Sequence, residues 1–255
     1  MRSVWNGTIT FGMAHVPIKL YSATESKSVH FKEVHAKDGA KIEHRKICPK
    51  EDKEVPAKEI VKGFEVDEDT FVVLEKEEVK AAAGDRGKFV NVDEFVDADA
   101  IDPVFYEKTY YVGASEDKDV YRLFYEALRK SGKAGIGRFT FHDREYLVAV
   151  RAGSETIVLD TLRFHDEGVE ADDLEIPSPG RKAAKKEVDM AKRLIDSLHT
   201  GFKPEDYEDT YRDSVLALIK QKAKGEEIDL SAQEEPEHGD DLAAALEASL
   251  SGSKG

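Results

Sequence analysis

The stretch Trp5-Asn6-Gly7-Thr8-Ile9-Thr10-Phe11-Gly12 decides the first element of the fold. Apolar residues at positions 5, 9 and 11 alternate with polar residues at 6, 8 and 10, which is the period-two pattern of a half-buried strand. Gly12 ends this pattern, and the alternation of Val16, Ile18 and Leu20 resumes it. The N-terminus therefore predicts two successive strands.

Similar patterns extend the prediction along the chain. Further strands are predicted over residues 28–34, 71–74, 89–96, 108–113, 136–141, 146–151 and 156–164, and a short helix over 75–83. The polar link at 142–145 predicts a hairpin loop between two of these strands. Apolar residues at 120, 123, 124, 127 and 128 follow the helical period, with Asp117 or Asp119 as the cap and Gly132 as the end. The first part of the chain is thus mixed, mainly β.

A Pro- and Gly-containing stretch at residues 177–180 predicts a domain boundary. Beyond it, apolar residues at helical spacing predict one helix ending at Gly201 and a second ending near Gly225. Residues 226–255 are acidic and are expected to be disordered, although Leu242, Leu246 and Leu250 could order as a helix on a partner. The organisation predicted is a core over 1–180, a helical arm over 181–225 and a tail over 226–255.

Composition limits the classes of protein. The chain has 255 residues, a formal net charge of −15 and one cysteine, Cys48, so neither an intramolecular disulfide nor a cysteine-rich zinc site is expected. The sequence has no apolar run long enough to span a bilayer and no signal-peptide pattern, and a cytoplasmic location is expected. The sequence offers no Walker A, GxSxG or dinucleotide-binding pattern. Neither catalysis nor a cofactor or metal is therefore expected.

Positive charge is concentrated in residues 27–62, here called the basic segment, where ten Lys and Arg face seven Asp and Glu. A solvated, charged hairpin is the simplest interpretation. The alternative is an arm along a phosphate backbone, because the cations recur every four to five residues of a segment with little apolar content. The candidate DNA contacts are Lys32, Lys37, Lys41, Arg45, Lys46, Lys50 and Lys53. A second basic cluster lies at 181–193.

A longer pattern supports the DNA interpretation. Trp5-x-Gly7-x-Ile9-x-Phe11-Gly12, followed by Val16-Pro17-Ile18-Lys19-Leu20-Tyr21, closely resembles the opening of bacterial Ku proteins, the end-binding factors of non-homologous end joining. The resemblance continues through Phe31-x-x-Val34-His35, Ile60-Val61-Lys62-Gly63-Phe64-Glu65 and Tyr110-Tyr111-Val112, and resumes at Leu194-Ile195-Asp196-Ser197-Leu198. It spans about residues 1–225.

The resemblance implies a fold and a function. The fold would be a Ku-type β-barrel with an inserted strand-built bridge at about residues 25–62 and a helical C-terminal arm that packs on a partner subunit. Two copies would form a homodimeric ring around the ends of linear double-stranded DNA, near the nucleoid. The implied partner is the ATP-dependent end-joining DNA ligase. Two other interpretations stay open: a protein-interaction scaffold whose basic segment binds acidic protein, and a metal-dependent nuclease.

Overall fold

The computed structural model describes residues 1–83, 88–141, 144–169, 174 and 185–226. These fall into two compact units, one of residues 1–26 with 32–170 and one of residues 27–31 with those beyond 170. The strands, in chain order, are β1 (Trp5–Phe11), β2 (Ala14–Ser22), β3 (Ile47–Cys48), β4 (Lys53–Glu54), β5 (Lys62–Asp67), β6 (Thr70–Leu74), β7 (Phe89–Asp97), β8 (Tyr106–Ala114), β9 (Lys133–Phe141), β10 (Arg144–Ala152) and β11 (Ile157–Leu162). The helices are α1 (Lys76–Ala83), α2 (Lys118–Ser131), α3 (Lys185–Ser197) and α4 (Thr210–Ala223).

Seven strands form a closed barrel in the order β1-β2-β8-β11-β10-β9-β7. All neighbouring strands are antiparallel except β1 and β7, whose parallel pairing of Thr8 with Phe89 closes the barrel. Closure removes the free edges that would otherwise invite aggregation. The mainly β fold with a barrel and C-terminal helices is therefore confirmed.

Alternate residues of each barrel strand point inward and build the core. Ile9, Ile18, Leu159 and their neighbours are fully buried there. Four aromatic side chains contribute to this core: Tyr110 and Phe124 are buried in it, and Trp5 and Phe11 pack against it. The Trp5 and Phe139 rings meet edge-to-face with centroids 5.6 Å apart, a favourable aromatic geometry.

Helix α2 connects β8 to β9 across one end of the barrel. The Asp117 carboxylate accepts hydrogen bonds from the backbone N–H groups of Asp119 and Val120, and Gly132 ends the helix with a φ of +66°. Phe124 and Leu128 on its inner face are buried against the barrel. The sequence-based helix and both of its limits are confirmed, since Asp117 was one of two predicted caps.

The insertion between β2 and β7 leaves and re-enters the barrel at the end opposite α2. Its strand content is small: the two-residue pair β3–β4, the hairpin β5–β6, and one isolated bridge between Val34 and Lys41. The strand predicted over residues 28–34 is wrong, because the only residue there that pairs is Val34. Strand β5 was not predicted.

The remaining differences are smaller. Arg144 and Glu145, predicted as loop, already belong to β10, where they pair with Phe141 and Thr140 of β9. In the second unit, α3 and α4 confirm the two C-terminal helices, although α3 ends at Ser197 rather than at Gly201. Residues 142–143, 175–184 and 227–255 lie outside the described residues, and with them the domain boundary at 180, Arg181 and Lys182 of the second basic cluster and the Leu242, Leu246 and Leu250 repeat.

Candidate nucleic-acid interface

The candidate interface is the basic segment of the insertion, and all seven predicted cations are exposed on it. Lys53 lies in β4 and Lys41 in the isolated bridge with Val34, whereas the other five occupy turns and irregular backbone. Their positions are fixed by backbone hydrogen bonds. The N–H of Val55 donates to the carbonyl of Lys46 at 2.8 Å, and that of Ile42 donates to the carbonyl of Glu33 at 3.0 Å.

Histidines, rather than lysines, hold two of the acids in this segment. His44 Nε2 lies 2.6 Å from Glu33 Oε2, and His35 Nδ1 lies 3.0 Å from Asp38 Oδ1. Arg45 is the one candidate cation with an ion pair, to Glu54 at 3.6 Å. Within the described part of the chain, six of the candidate cations are exposed and make no direct ion pair: Lys32, Lys37, Lys41, Lys46, Lys50 and Lys53.

A second surface was missed by the sequence analysis: the hairpin β5–β6, in which every residue is exposed. Phe64 pairs with Val72 on one face, and Gly63 pairs with Val73 on the other, next to the ring of Phe71. The alternation of Phe64 with Val66 was visible in the sequence. Exposed apolar surface of this kind is typical of protein–protein interaction sites.

The helical unit shows the same property by itself. Helices α3 and α4 contain no fully buried residue. Ile195, Leu198 and Tyr211 are 69%, 68% and 77% exposed. Exposed apolar side chains on and beside helices are suited to packing on another chain.

The described residues offer little that resembles a catalytic centre. They contain no cluster of three or more His, Cys, Asp or Glu suited to a metal ion. Cys48 is half-buried and unbonded. The one resolved pKa change is at Tyr106, whose pKa is raised mainly by burial, with Asp160 adding to the effect and Arg151 opposing it. None of the described helices is long and apolar enough to cross a bilayer.

Comparison with known families decides the relationship. Residues 10–190 match the family model of the Ku70/Ku80 beta-barrel domain. This range includes the whole insertion and all of the barrel except the first five residues of β1. The chain belongs to the Ku family. The resemblance seen in the sequence motifs is therefore confirmed.

Individual relatives cover nearly the whole chain. The non-homologous end joining protein Ku of Anaeromyxobacter sp. (strain K) is 38% identical over 257 aligned residues, covering 99% of this chain and 86% of the relative. The proteins of the same name from Bacillus subtilis (strain 168) and Archaeoglobus fulgidus are 35% and 34% identical, and the alignments cover 82% and 98% of their lengths. The match thus extends beyond the Ku barrel to the helical unit.

Proposed function

We propose that two copies of this Ku-family chain form a ring that threads onto the ends of double-stranded DNA, without sequence specificity and without catalysis, in double-strand break repair by end joining. The observation that supports this most directly is the set of six exposed lysines without ion pairs on the barrel insertion. Such cations bind phosphate by releasing condensed counterions, which gives affinity without base recognition.

The distribution of charge supports binding inside a ring. The chain has a net charge of −15, whereas the basic segment has an excess of three positive charges. An acidic exterior repels DNA, and a local basic surface attracts it. A closed ring can load only where the duplex ends, so topology supplies the end preference that phosphate contacts lack.

Self-association is supported by the apolar surfaces that a single chain leaves in water. Phe64 and Phe71 of the hairpin β5–β6 are 67% and 57% exposed. The occupant we propose is a second copy, because the ring needs two chains and the helical unit adds further exposed apolar side chains. Replacing Phe64 and Phe71 with Ser should shift the protein toward monomer in sedimentation experiments, with Phe202→Ser as a test of the helical unit.

The partner we infer is an ATP-dependent end-joining DNA ligase. This rests on the family resemblance and on the names of the relatives, which place them in non-homologous end joining. The exposed side chains of α3 and α4 and the tail beyond residue 226 are the candidate docking surfaces. Stimulation of a bacterial end-joining ligase by the full chain, lost on deleting residues 227–255, would assign docking to the tail.

The decisive experiment compares linear duplex with covalently closed circular DNA of the same sequence in a competition assay across a salt series. We expect strong preference for the linear form and weaker binding at higher salt. Equal affinity for both forms would mean a side-on basic surface and would refute the ring. Binding to neither would leave a protein-interaction scaffold. Cleavage of either DNA on addition of Mg²⁺ would refute the non-catalytic assignment.

A further inference from the structure

The barrel end opposite α2 contains a cavity of about 780 Å³. It is bordered by the N-terminal residues before β1, the start of β8, the end of β9 and the start of β10. At the other end, Phe124 and Leu128 of α2 pack against the barrel and border an apolar pocket, so the linings at the two ends differ in polarity. The insertion with the basic segment also leaves and returns at the open end. The volume of the cavity lies within the range of small-molecule binding sites.

The lining at this end combines polar and charged side chains with aromatic ones, whereas the side chains deeper in the barrel are apolar. In β8, Tyr110 points into the core, and Lys108, two residues earlier, faces the same side. Lys108 lies opposite Thr161 of the neighbouring strand β11, and Thr161 also lines the cavity. Lys108 is exposed, so its ammonium group lies at the mouth of the cavity, where an anion can reach it.

The cations of the cavity are available to an anion. The Lys108 ammonium group lies 5.2 Å from the centre of the Tyr110 ring, and Arg2 lines the same space. Neither has a carboxylate partner among the described residues. The one acid in the lining, Glu107, accepts a hydrogen bond from the Thr161 hydroxyl at 3.3 Å. The cavity thus presents two unpaired positive charges beside one carboxylate.

Aromatic side chains form another part of the lining. Phe141 and Tyr146 are only partly buried and border the cavity. The Arg144 guanidinium lies 5.2 Å from the centre of the Tyr146 ring and pairs with Glu167 at 3.2 Å, which holds this side of the rim in place. Aromatic surface beside unpaired cations is the combination that binds a base together with its phosphate.

We propose that this cavity binds a nucleoside monophosphate unit, with the phosphate at Lys108 and Arg2 and the base against Tyr146 and Phe141. A bare phosphate would leave most of the volume empty. The unit has two possible sources: a free nucleotide, or the unpaired terminal nucleotide of a DNA strand. The open end of the barrel is also where the basic segment departs, which favours the strand terminus.

Isothermal titration of the full chain with AMP, adenosine, inorganic phosphate and a 5′-phosphorylated single-stranded tetranucleotide tests the site. We expect AMP to bind more tightly than adenosine or phosphate, and the tetranucleotide to bind at least as tightly as AMP if the strand terminus is the source. Lys108→Gln should lower the affinity for AMP about tenfold, because a charge-assisted hydrogen bond to the phosphate is lost. Tyr146→Leu should lower the affinity for AMP but leave the affinity for inorganic phosphate unchanged.

The matched control is Lys118→Gln, which removes an exposed charge at the opposite end of the barrel. It should leave AMP binding unchanged, and thermal melting should show that all variants are folded. Each of three results would overturn the site. The protein binds neither AMP nor the tetranucleotide, it binds phosphate as tightly as AMP, or Lys108→Gln and Lys118→Gln have equal effects. The Lys108→Gln variant should bind blunt duplex DNA as tightly as the wild type does. Loss of nucleotide binding can therefore be distinguished from loss of the proposed ring around duplex DNA.

Discussion

The salt dependence of DNA binding provides the sharpest test of the basic segment. The perturbation is the triple substitution Lys37→Gln, Lys41→Gln and Lys46→Gln, at three exposed residues without ion pairs. Glutamine removes the charge and keeps a polar side chain. Because these side chains have no structural partners in the described chain, the fold should be retained.

The expected magnitude follows from counterion release. Each phosphate contact contributes about 0.9 to the slope of log affinity against log salt. If all three lysines contact phosphate, the slope falls by about 2.7 per protomer, and if half of them do, by about 1.4. When salt is raised from about 50 to 200 mM, the variant that has lost three contacts should therefore lose about 40-fold less affinity per protomer than the wild type does.

Fluorescence anisotropy with a blunt duplex of fixed length measures these slopes. The matched control is Lys118→Gln, Arg122→Gln and Arg129→Gln on the exposed side of α2, which changes net charge by the same amount at the other end of the barrel. We expect the control to keep the wild-type slope. An unchanged slope in the Lys37, Lys41 and Lys46 variant, or the same change in both variants, would refute the assignment of the basic segment to DNA.

Three further predictions concern stability. The Arg151 guanidinium donates a hydrogen bond at 2.7 Å to the Asp160 carboxylate, which is only 1% exposed. Arg151→Ala should therefore lower the free energy of unfolding in urea by about 2–3 kcal/mol. This cost is smaller than for a fully buried pair because Arg151 is about one-third exposed. Gly137→Ala would place its Cβ 2.0 Å from the carbonyl oxygen of Asn91 and should cost about 3 kcal/mol. Burial raises the pKa of Tyr106, so the folded state keeps a proton that the unfolded state loses, and stability should fall as pH rises above about 10, more steeply than in Tyr106→Phe.

The controls for these variants come from the same chain. Gly201→Ala meets no atom within 4 Å and should leave the free energy of unfolding unchanged. For the buried pair, Arg138→Ala removes a more exposed arginine whose partner Glu145 lies 3.8 Å away, and should cost less than about 1 kcal/mol. Equal costs for Arg151→Ala and Arg138→Ala, a stable Gly137→Ala protein, or parallel pH profiles for wild type and Tyr106→Phe would contradict the reasoning.

Local pattern predicted the barrel strands because their burial leaves a signal in the sequence. Residues 5–11 alternate between apolar and polar, as expected for a strand with one buried face. Residues 146–151 instead form a nearly continuous apolar run, and consecutive residues of β10 are buried. Helix α2 matches its helical period and both end signals. Residues 28–34 alternate too, yet form no strand, because only Val34 pairs with another residue. Strand β5 was not predicted because both of its faces are exposed, so burial leaves no alternating pattern in its sequence. Its strand conformation comes from pairing with β6.

The candidate DNA contacts were predicted from charge density and stay a prediction, and the structure adds which charged groups of the segment pair with one another. Arg45 is held by Glu54, whereas Glu33 and Asp38 are held by His44 and His35. The sequence alone allowed each acid to pair with the nearest lysine. The folded turns of the segment decide instead which groups are close enough to interact.

Local sequence was enough to predict the alternation of β1 and β2, both ends of α2, the positive charge of residues 27–62 and the resemblance to Ku. Each of these depends on neighbours within a few positions of one another. Three other features followed from the fold: Thr8 lies beside Phe89 to close the barrel, Asp160 is buried against Arg151, and Lys108 lies at the open barrel end. These depend on strand order and register, which bring together residues far apart in the chain, and the shape of the whole barrel then fixes the surroundings of each side chain.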